Sequence, residues 1–377
     1  MREVVVVEGV RTAIGKKNGG LKDWRSDNLL AMVLKELVNR SNIPKEVIED
    51  VIIGCVTQTS EQGGNIARIA ALLAEYPISV PGVTIDRQCG SSLQAIHFGA
   101  QVIAANDAEI VVAGGVESMT RVPMFSNVSS GGWNEIYEKR FGPIHQGLGA
   151  ERINEVYNIS RNELDEYAFN SHKKAIVAIE KGYFQKELFS DLEGNLIVED
   201  EGPRRDTTLE KLSILKTVFK EDGMITAGNA SMISDGAAAV LLMSKEKAID
   251  LGMKPRFSII AKVAVGSDPH LMLTGPIEAT KKALQKAGLT IDDIDRIEVN
   301  EAFATVPIAW MREFPNQEEK LNVNGGAISL GHPLGATGAR LFVSLMNELE
   351  RIGATYGLIA ICEGHGMANA TIIKRIK

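Results

Sequence analysis

A cysteine at a strand-to-helix junction is the first residue whose type and position suggest chemistry. Cys89 lies in the segment Asp-Arg-Gln-Cys-Gly-Ser-Ser, where a short β-branched run gives way to a helical pattern that begins near Ser91. Unsatisfied backbone N–H groups and the positive end of a helix dipole favour a thiolate at such a place. We therefore predict a nucleophile with a lowered pKa, and the alternative is a small buried hydrophobic residue.

Three further residues stand where a side chain could act on a substrate. Cys362 follows an apolar run and opens Cys-Glu-Gly-His-Gly-Met-Ala, whose glycines allow backbone N–H groups to approach a ligand. His332 lies between a glycine and a proline, which suits a base or a hydrogen-bond donor. Asn300 follows another apolar run and either caps a helix or points its amide at a substrate oxygen. Structural roles remain the alternative for Cys362 and His332, and simple packing is favoured for Cys55.

Composition and missing motifs argue against several other functions. The chain has 377 residues and a formal net charge of −7, so no global positive field favours nucleic acid or an anionic membrane. The sequence contains no dinucleotide or nucleotide-phosphate glycine motif and no paired Cys or His spacing typical of a metal site. No apolar stretch approaches the length of a membrane span. Three widely spaced cysteines predict free thiols and a cytoplasmic location.

Short β-branched runs alternate with helical patterns, which predicts an α/β protein with a buried sheet. A capping box at Ser160–Glu163 opens one strong helix, and Gly288 is placed to end another. The predicted strands comprise Val4–Val7, Val51–Ile53, Val83–Ile85, Ile110–Val112, Ala237–Met243, Ile259–Val265, Ile297–Val299 and Leu358–Ile361.

Segments of the first part recur in the same order near the end of the chain, which indicates a duplication. A charged, Gly/Pro/Ser-punctuated stretch at 120–223 interrupts the first copy and is interpreted as an insertion that covers a site. The predicted units are residues 1–119, completed by about 224–246, then the insertion 120–223, then 247–377. The matched segments are 43–54 with 289–300, 83–89 with 321–327, and 108–117 with 355–364.

Taken together, these segments resemble the thiolases, the coenzyme-A-dependent acyltransferases that cleave or make 3-ketoacyl thioesters. The resemblance covers essentially the whole chain and implies a duplicated thiolase fold, five-layered α-β-α-β-α, with a loop domain inserted in the first half. The segments that carry it are Arg11-Thr-Ala-Ile-Gly, Gly63-Gly-Asn-Ile-Ala-Arg, the Cys89 segment, Gly114-Gly-Val-Glu-Ser-Met-Thr, Thr226-Ala-Gly-Asn-Ala-Ser, Asp235-Gly-Ala-Ala-Ala, Asn300-Glu-Ala-Phe-Ala, Asn324-Gly-Gly-Ala-Ile-Ser-Leu-Gly-His-Pro and Cys362-x-Gly.

The resemblance also implies roles for individual residues. Cys89, activated by His332, would attack the substrate carbonyl and hold the acyl group, while Cys362 would move a proton at the substrate α-carbon or at the coenzyme A thiol. One oxyanion hole would come from His332 and a water held by Asn300, and the other from the backbone N–H groups of Cys89 and Gly364.

Coenzyme A would bind as a substrate over the inserted loop domain, with no permanently bound cofactor and no metal. By motif position its contacts would be His145, Arg204, Ala227, Ser231 and Phe303. A basic cluster would supply the local positive charge that the acidic chain lacks, and the same resemblance implies a homodimer or homotetramer. The cluster consists of Arg204, Arg205, Lys211 and Lys216.

Two departures from the family pattern concern the substrate. His365 stands where many thiolases have glycine, and Gln146 stands where acetoacetyl-specific members commonly have methionine. Together with the short segment Phe125–Phe141, Gln146 favours thiolytic cleavage of longer or bulkier 3-ketoacyl-CoA. An acetoacetyl-CoA-specific biosynthetic thiolase and a catalytically silent acyl-CoA-binding protein are the alternatives. A decarboxylating condensing enzyme is disfavoured, because such enzymes replace Cys362 by histidine or asparagine.

Overall fold

The structure is a computed structural model that describes residues 2–128, 132, 134–142, 145–191, 194 and 196–376. Its strands are β1 (Val4–Arg11), β2 (Gly15–Lys16), β3 (Asp50–Gly54), β4 (Gly82–Ile85), β5 (Ile110–Ser118), β6 (Ser234–Ser244), β7 (Phe257–Gly266), β8 (Arg296–Val299), β9 (Tyr356–Glu363) and β10 (Met367–Arg375). Its helices are α1 (Ser26–Ser41), α2 (Ile66–Leu73), α3 (Ser91–Ala105), α4 (Glu135–Phe141), α5 (Gln146–Val156), α6 (Arg161–Glu180), α7 (Leu209–Ser213), α8 (Lys245–Asp250), α9 (Gly275–Ala287), α10 (Thr305–Glu313), α11 (Ala327–Leu330) and α12 (Thr337–Ile352). None of the helices in the described ranges is long and apolar enough to cross a lipid bilayer.

The strand order shows the duplication directly. In the first half the order is β4-β3-β5-β6-β1, in which β3 pairs in parallel with β4 and β5, and β6 pairs antiparallel with β5 and β1. The second half repeats this arrangement as β8-β9-β10-β7, with β8 and β9 parallel and β10 antiparallel to both neighbours. The counterpart of β4 is reduced to a single parallel bridge between Ile297 and Leu321. Strands β1 and β7 join the halves through two residue pairs.

Alternating side chains of these strands separate the core into layers. Val5 and Val7 of β1 pack with α1 and α2 on one face of the first sheet, whereas Val4 and Val6 face α3 and α12. Helices α3 and α12 pack against each other and contact strands of both halves. Helix α9 covers the far face of the second sheet, and α10 packs against α9 in the same core cluster. The layers therefore run helix, sheet, helix, sheet, helix, as the thiolase resemblance predicts.

Most local predictions are confirmed, with two strands omitted. The Ser160–Glu163 capping box opens α6, Gly288 ends α9 in a left-handed conformation, and each predicted strand lies within a strand of the structure. The omitted strands are the two-residue β2 and the longer β10, which the sequence pattern does not reveal because small and polar residues occupy much of it. Asn369 and Thr371 are fully buried in β10: Nδ2 of Asn369 donates to the carbonyl of Gly90, just before α3, and Oγ1 of Thr371 contacts Nε2 of His97 within α3.

The residues between β5 and β6 form α4 to α7 and are tied to the first strand by a buried ion pair. Arg11 donates to Asp200 at 2.7 and 2.9 Å and to Glu187 at 3.1 Å, and all three side chains are buried. This contact joins β1 to the segment that the sequence analysis treats as an insertion. The proposed unit boundaries at about 120, 224 and 247 stay a prediction.

Candidate active site

Cys89 sits in a tight turn that its neighbours hold in place. The turn follows β4, and α3 begins two residues later. Gln88 adopts a left-handed conformation with φ of 49°, and Ser91 ties the turn by accepting from the N–H of Arg87 and donating to the carbonyl of Gln88. Gly90 is required here, because a Cβ atom at this position would lie 2.0 Å from Oε1 of Glu363. The strand-to-helix position predicted for Cys89 is therefore confirmed.

The lowered pKa expected for Cys89 is wrong. The thiol is only 7% exposed. Burial raises the pKa of Cys89 well above its usual value, and the neighbouring Cys362 and Glu363 raise it further. Burial likewise raises the pKa of the Cys362 thiol to about 12. The helix N-terminus does not offset this loss of solvent, so both thiols are protonated at neutral pH.

One of the two ring nitrogens of His332 is hydrogen-bonded within the protein. Its Nδ1 lies 2.7 Å from Oγ1 of Thr337, whose hydroxyl hydrogen is donated to the carbonyl of Pro333 at 2.9 Å. The threonine oxygen must therefore accept a hydrogen bond, which places the imidazole proton on Nδ1 and leaves Nε2 as a base. Burial, with a smaller contribution from the positive charge of Arg340, lowers the pKa of His332 to about 3. The ring is therefore neutral.

Asn300 and Cys362 lie behind the surface of the cavity that Cys89 and His332 share. Asn300 follows β8, and its Nδ2 is 3.5 Å from Nε2 of His332. Helix α10 starts five residues later, so Asn300 caps no helix and the amide alternative fits the structure. Cys362 belongs to β9, is fully buried and lies close enough to Cys89 to affect its titration.

A single cavity of about 850 Å³ collects the other predicted site residues. Cys89 and His332 share its wall with Gly364 and with every predicted coenzyme A contact, namely His145, Arg204, Ala227, Ser231 and Phe303. Phe219 joins two of these contacts: its ring lies 4.8 Å from the His145 ring and 5.9 Å from the Phe303 ring. The sequence analysis missed Phe219, which carries no motif signal.

The basic lining differs in part from the predicted cluster. Arg204 and Arg205 line the cavity, but Lys211 and Lys216 do not, and Lys211 pairs with Asp206 at 2.7 Å. Two other lysines line the cavity in their place: Lys16, the last residue of β2, and Lys17, which follows it. An adjacent lysine pair just after the Arg11-Thr-Ala-Ile-Gly segment was the available signal. The position of this lysine pair beside the cavity could be interpreted only from the pairing of β2 with β6.

Two buried carboxylates, to which the sequence analysis gave no role, hold the loops of the site. Glu117 accepts from the backbone N–H groups of Val56, Thr57 and Gly335 at 2.9 to 3.1 Å. Glu301 accepts from the hydroxyls of Tyr167 and Ser171, the amide of Asn322 and the N–H of Ile328. Both lie inside the quoted motifs. Glu117 connects the loop after β3 to the loop after His332, and Glu301 connects the inserted stretch to the segment before His332.

Two family models match nearly the entire chain. The model described as "Thiolase, N-terminal domain" matches residues 4–246, and the model described as "Thiolase, C-terminal domain" matches residues 253–375. The chain belongs to the thiolase family. The family and the fold class predicted from the sequence are therefore confirmed.

Individual thiolases resemble the chain over its full length. The steroid 3-ketoacyl-CoA thiolase FadA6 of Mycobacterium tuberculosis is 47% identical, covering 100% of this chain and 95% of that protein. An acetyl-CoA acetyltransferase of Syntrophomonas wolfei is 43% identical, with complete coverage of both chains. The crystal structure of the Bacillus anthracis acetyl-CoA acetyltransferase superimposes with a TM-score of 0.92 at 39% identity, covering 100% of this chain and 99% of that chain. The predicted activity, coenzyme-A-dependent acyl transfer, agrees with these names.

Among the residues that the structure describes, no group of three or more His, Cys, Asp or Glu side chains is arranged to hold a metal ion. The polar groups of the site are suited to proton transfer and to binding of a thioester. The thiol, the neutral imidazole and the buried amide supply those functions.

Proposed function

We propose that the chain catalyses thiolytic cleavage of 3-ketoacyl-CoA to acyl-CoA and acetyl-CoA, and the reverse Claisen condensation, through an acyl-enzyme on Cys89. The observation that carries this proposal is the shared cavity, which has the thiol, a neutral histidine with a basic Nε2, and arginine and lysine side chains in its wall.

The first half-reaction begins with proton transfer from the Cys89 thiol to Nε2 of His332. The sulfur attacks the 3-keto carbon, the bond between the α-carbon and that carbon breaks, and its electron pair goes to the acetyl-CoA enolate. Cys362 supplies the proton that the α-carbon takes up. The imidazolium of His332 and a water held by Asn300 stabilise one developing oxyanion, and the N–H groups of Cys89 and Gly364 stabilise the other.

The second half-reaction returns the protons to Cys362 and Cys89. The Cys362 thiolate takes the proton of the incoming coenzyme A thiol, whose sulfur attacks the acyl-enzyme carbonyl. The bond between the carbonyl carbon and the Cys89 sulfur then breaks, and the Cys89 thiolate takes back the proton held by His332. Burial raises the pKa values of Cys89 and Cys362, so each proton transfer is coupled to bond making at the substrate.

Coenzyme A is proposed to lie along the same cavity. The guanidinium groups of Arg204 and Arg205 and the ammonium groups of Lys16 and Lys17 are suited to its phosphates. The aromatic wall of His145, Phe219 and Phe303 is suited to the apolar pantetheine arm. The small side chains of Ala227 and Ser231 would leave room for a ligand to pass close to the backbone.

The test of the function is direct detection of the intermediate. Incubation with acetyl-CoA followed by acid quench and peptide mass spectrometry should place an acetyl group on the peptide that contains Cys89. An adduct found solely on Cys55 or Cys362 contradicts the assignment. Catalytic turnover with acetoacetyl-CoA and free coenzyme A then distinguishes an active thiolase from a silent acyl-CoA-binding protein.

A homodimer, alone or paired into a tetramer, is proposed as the working assembly. Strand β4 lies at the edge of the sheet, and apolar side chains near it remain exposed: Val83 at 42%, Leu72 and Leu73 at 43%, and Ile78 at 87%. An open apolar sheet edge favours pairing with a second copy. Light scattering should give at least twice the chain mass of 40.8 kDa, and a particle of that mass alone across micromolar concentrations contradicts the proposal. A cytoplasmic location stays a prediction that rests on three free thiols.

A further inference from the structure

A second, smaller cavity also reaches the nucleophile. It has a volume of about 220 Å³ and shares Cys89, Met124, Gln146 and Leu334 with the larger cavity. No arginine or lysine is among the described residues that line it. Since coenzyme A occupies the larger cavity under the proposed function, the smaller one is the space left for the acyl group carried by the Cys89 sulfur.

The size of this cavity limits the acyl group. At about 30 Å³ for each water in the liquid, a volume of 220 Å³ corresponds to about seven water molecules. An acyl group of similar bulk has about six to eight non-hydrogen atoms. A long alkyl chain would extend beyond this volume.

The lining combines apolar side chains with hydrogen-bonding ones. Half of its side chains carry hydrogen-bonding groups, and the set consists of Thr57, Asp86, Gln88, Asn127, Gln146 and His365. Thr57 is fully buried, and its Oγ1 has no hydrogen-bond partner among the described residues. A buried hydroxyl without a partner costs free energy that a ligand oxygen could recover.

His365 adds a second polar group at the position where many thiolases have glycine. Its φ of 65° is a left-handed conformation that glycine adopts easily and a residue with a side chain adopts at a cost. The ring is held edge-on to Tyr137, with ring centres 5.8 Å apart and its Nδ1 3.4 Å from the tyrosine hydroxyl. His365 therefore adds an imidazole to the cavity beside Cys89, where a glycine would offer only backbone.

The charge of the lining determines which oxygen-containing substituent of the acyl group the small cavity favours. Asp86 brings a carboxylate to the lining, where it accepts from the N–H of Gln88 at 2.6 Å. Burial lowers the pKa of His365, and Asp86 offsets only part of this, so the imidazole is neutral at pH 7 and offers no positive charge. A carboxylate on the acyl group would meet Asp86 without a compensating cation, whereas a hydroxyl or keto oxygen would not.

We propose that the small cavity selects a short acyl group that carries a neutral oxygen substituent, with Thr57 and His365 as the hydrogen-bonding groups. The inference rests on the proposed function and names its substrate class: 3-ketoacyl-CoA with a hydroxyl or keto group on the acyl chain. Alkyl chains and chains that end in a carboxylate are the poorer substrates.

The test compares three acyl donors of nearly equal size. Acylation of Cys89 by 3-hydroxybutanoyl-CoA, butanoyl-CoA and succinyl-CoA is followed by rapid quench and intact-protein mass spectrometry, with acetyl-CoA as the reference donor. Hydroxybutanoyl transfer should exceed butanoyl transfer by about three- to tenfold in kcat/KM, the range expected for one neutral hydrogen bond. Succinyl transfer should be the slowest of the three.

Two variants test the named groups. Thr57→Val removes one hydroxyl at nearly constant shape, and His365→Gly restores the usual family residue. Each should reduce the ratio of hydroxybutanoyl to butanoyl transfer by about threefold or more. Because the ratio is measured within one enzyme, a general change in activity cancels. Asn316→Gly is the matched control, since Asn316 is exposed and has a similar left-handed φ of 64°, and it should leave the ratio unchanged.

The outcomes separate this inference from the proposed function. A ratio near one, a ratio unaffected by both variants, or fastest transfer from succinyl-CoA overturns the inference. If acetyl-CoA also leaves Cys89 unmodified in the folded parent protein, the proposed function itself fails.

Discussion

The tautomer of His332 depends on a single hydroxyl, and Thr337→Val tests that dependence. Both side chains are buried, and the Thr337 oxygen accepts from Nδ1 while donating to the carbonyl of Pro333. Valine has nearly the shape of threonine but cannot accept a hydrogen bond. In the valine variant the Nδ1 hydrogen has no acceptor in the buried site, so the tautomer that carries the proton on Nε2 becomes the more stable one. In that tautomer His332 cannot act as a base towards Cys89.

The size of the effect follows from the cost of that unpaired donor. Leaving a buried N–H without an acceptor costs about 1–3 kcal/mol, so the catalytic tautomer becomes less favourable by that amount. The rate of Cys89 acylation should fall by about 5- to 150-fold. Thr337→Ser keeps the hydroxyl and should stay within about threefold of the parent rate.

The assay is rapid-quench mass spectrometry of Cys89 acylation by acetyl-CoA under single-turnover conditions. The acylation rate at saturation should fall, while the acetyl-CoA concentration at half-saturation changes little, because Thr337 does not line the cavity. The chain supplies a matched control, since the buried Thr371 contacts Nε2 of His97 away from the active-site cavity. Thr371→Val should reduce thermal stability without slowing acylation. A Thr337→Val enzyme that acylates within twofold of the parent would refute the assignment of the tautomer.

Three further predictions concern the thiols and their acidic neighbour. Cys89→Ser should abolish both directions, because a serine hydroxyl is far less ionised than a thiol, and steady-state thiolysis and condensation assays check this. Cys362→Ala should still form the acyl-enzyme but lose about 10²–10⁴-fold in turnover, so acyl-enzyme should accumulate in quenched samples; its absence in a folded variant would implicate Cys362 in acyl capture. Burial raises the pKa of Glu363 from 4.5 to about 9, so between these values the unfolded chain releases a proton that the folded chain retains. The free energy of unfolding should therefore fall by up to about 1.4 kcal/mol per pH unit as pH rises, and urea unfolding of Glu363→Gln should show a shallower fall. An equally steep fall in that variant would contradict the raised pKa.

Local sequence patterns predicted the elements that local forces determine. The Ser160 hydroxyl and the Glu163 carboxylate close a capping box within four residues, and the left-handed Gly288 ends its helix by bonds to the preceding turn. The buried runs of β5 and β6 are recognisable because they are apolar on both faces. Strand β10 was not recognisable, since its buried Asn369 and Thr371 are polar and find their partners far away in sequence, at Gly90 and at His97.

The candidate site was predicted residue by residue, but its electrostatics were not. Motif resemblance located Cys89, His332, Cys362 and Asn300, and their roles stay proposals. The expectation of a lowered thiol pKa considered only the helix that follows Cys89. The three-dimensional surroundings remove water from that thiol and bring Cys362 and Glu363 close to it, and these effects act in the opposite direction.

Residue type, spacing and short-range periodicity were enough to identify the family, the α/β class, the duplication and the residues that could react. The packing of distant segments was needed to show that Lys16 and Lys17 join Arg204, that Thr337 fixes the His332 tautomer, and that hydrogen-bonding side chains such as Thr57 and His365 line the small cavity beside Cys89. These features join residues that lie far apart in sequence or depend on the direction of one hydrogen bond. Burial and donor geometry set the charge state of each group, and both arise from the packing of the two halves around the site.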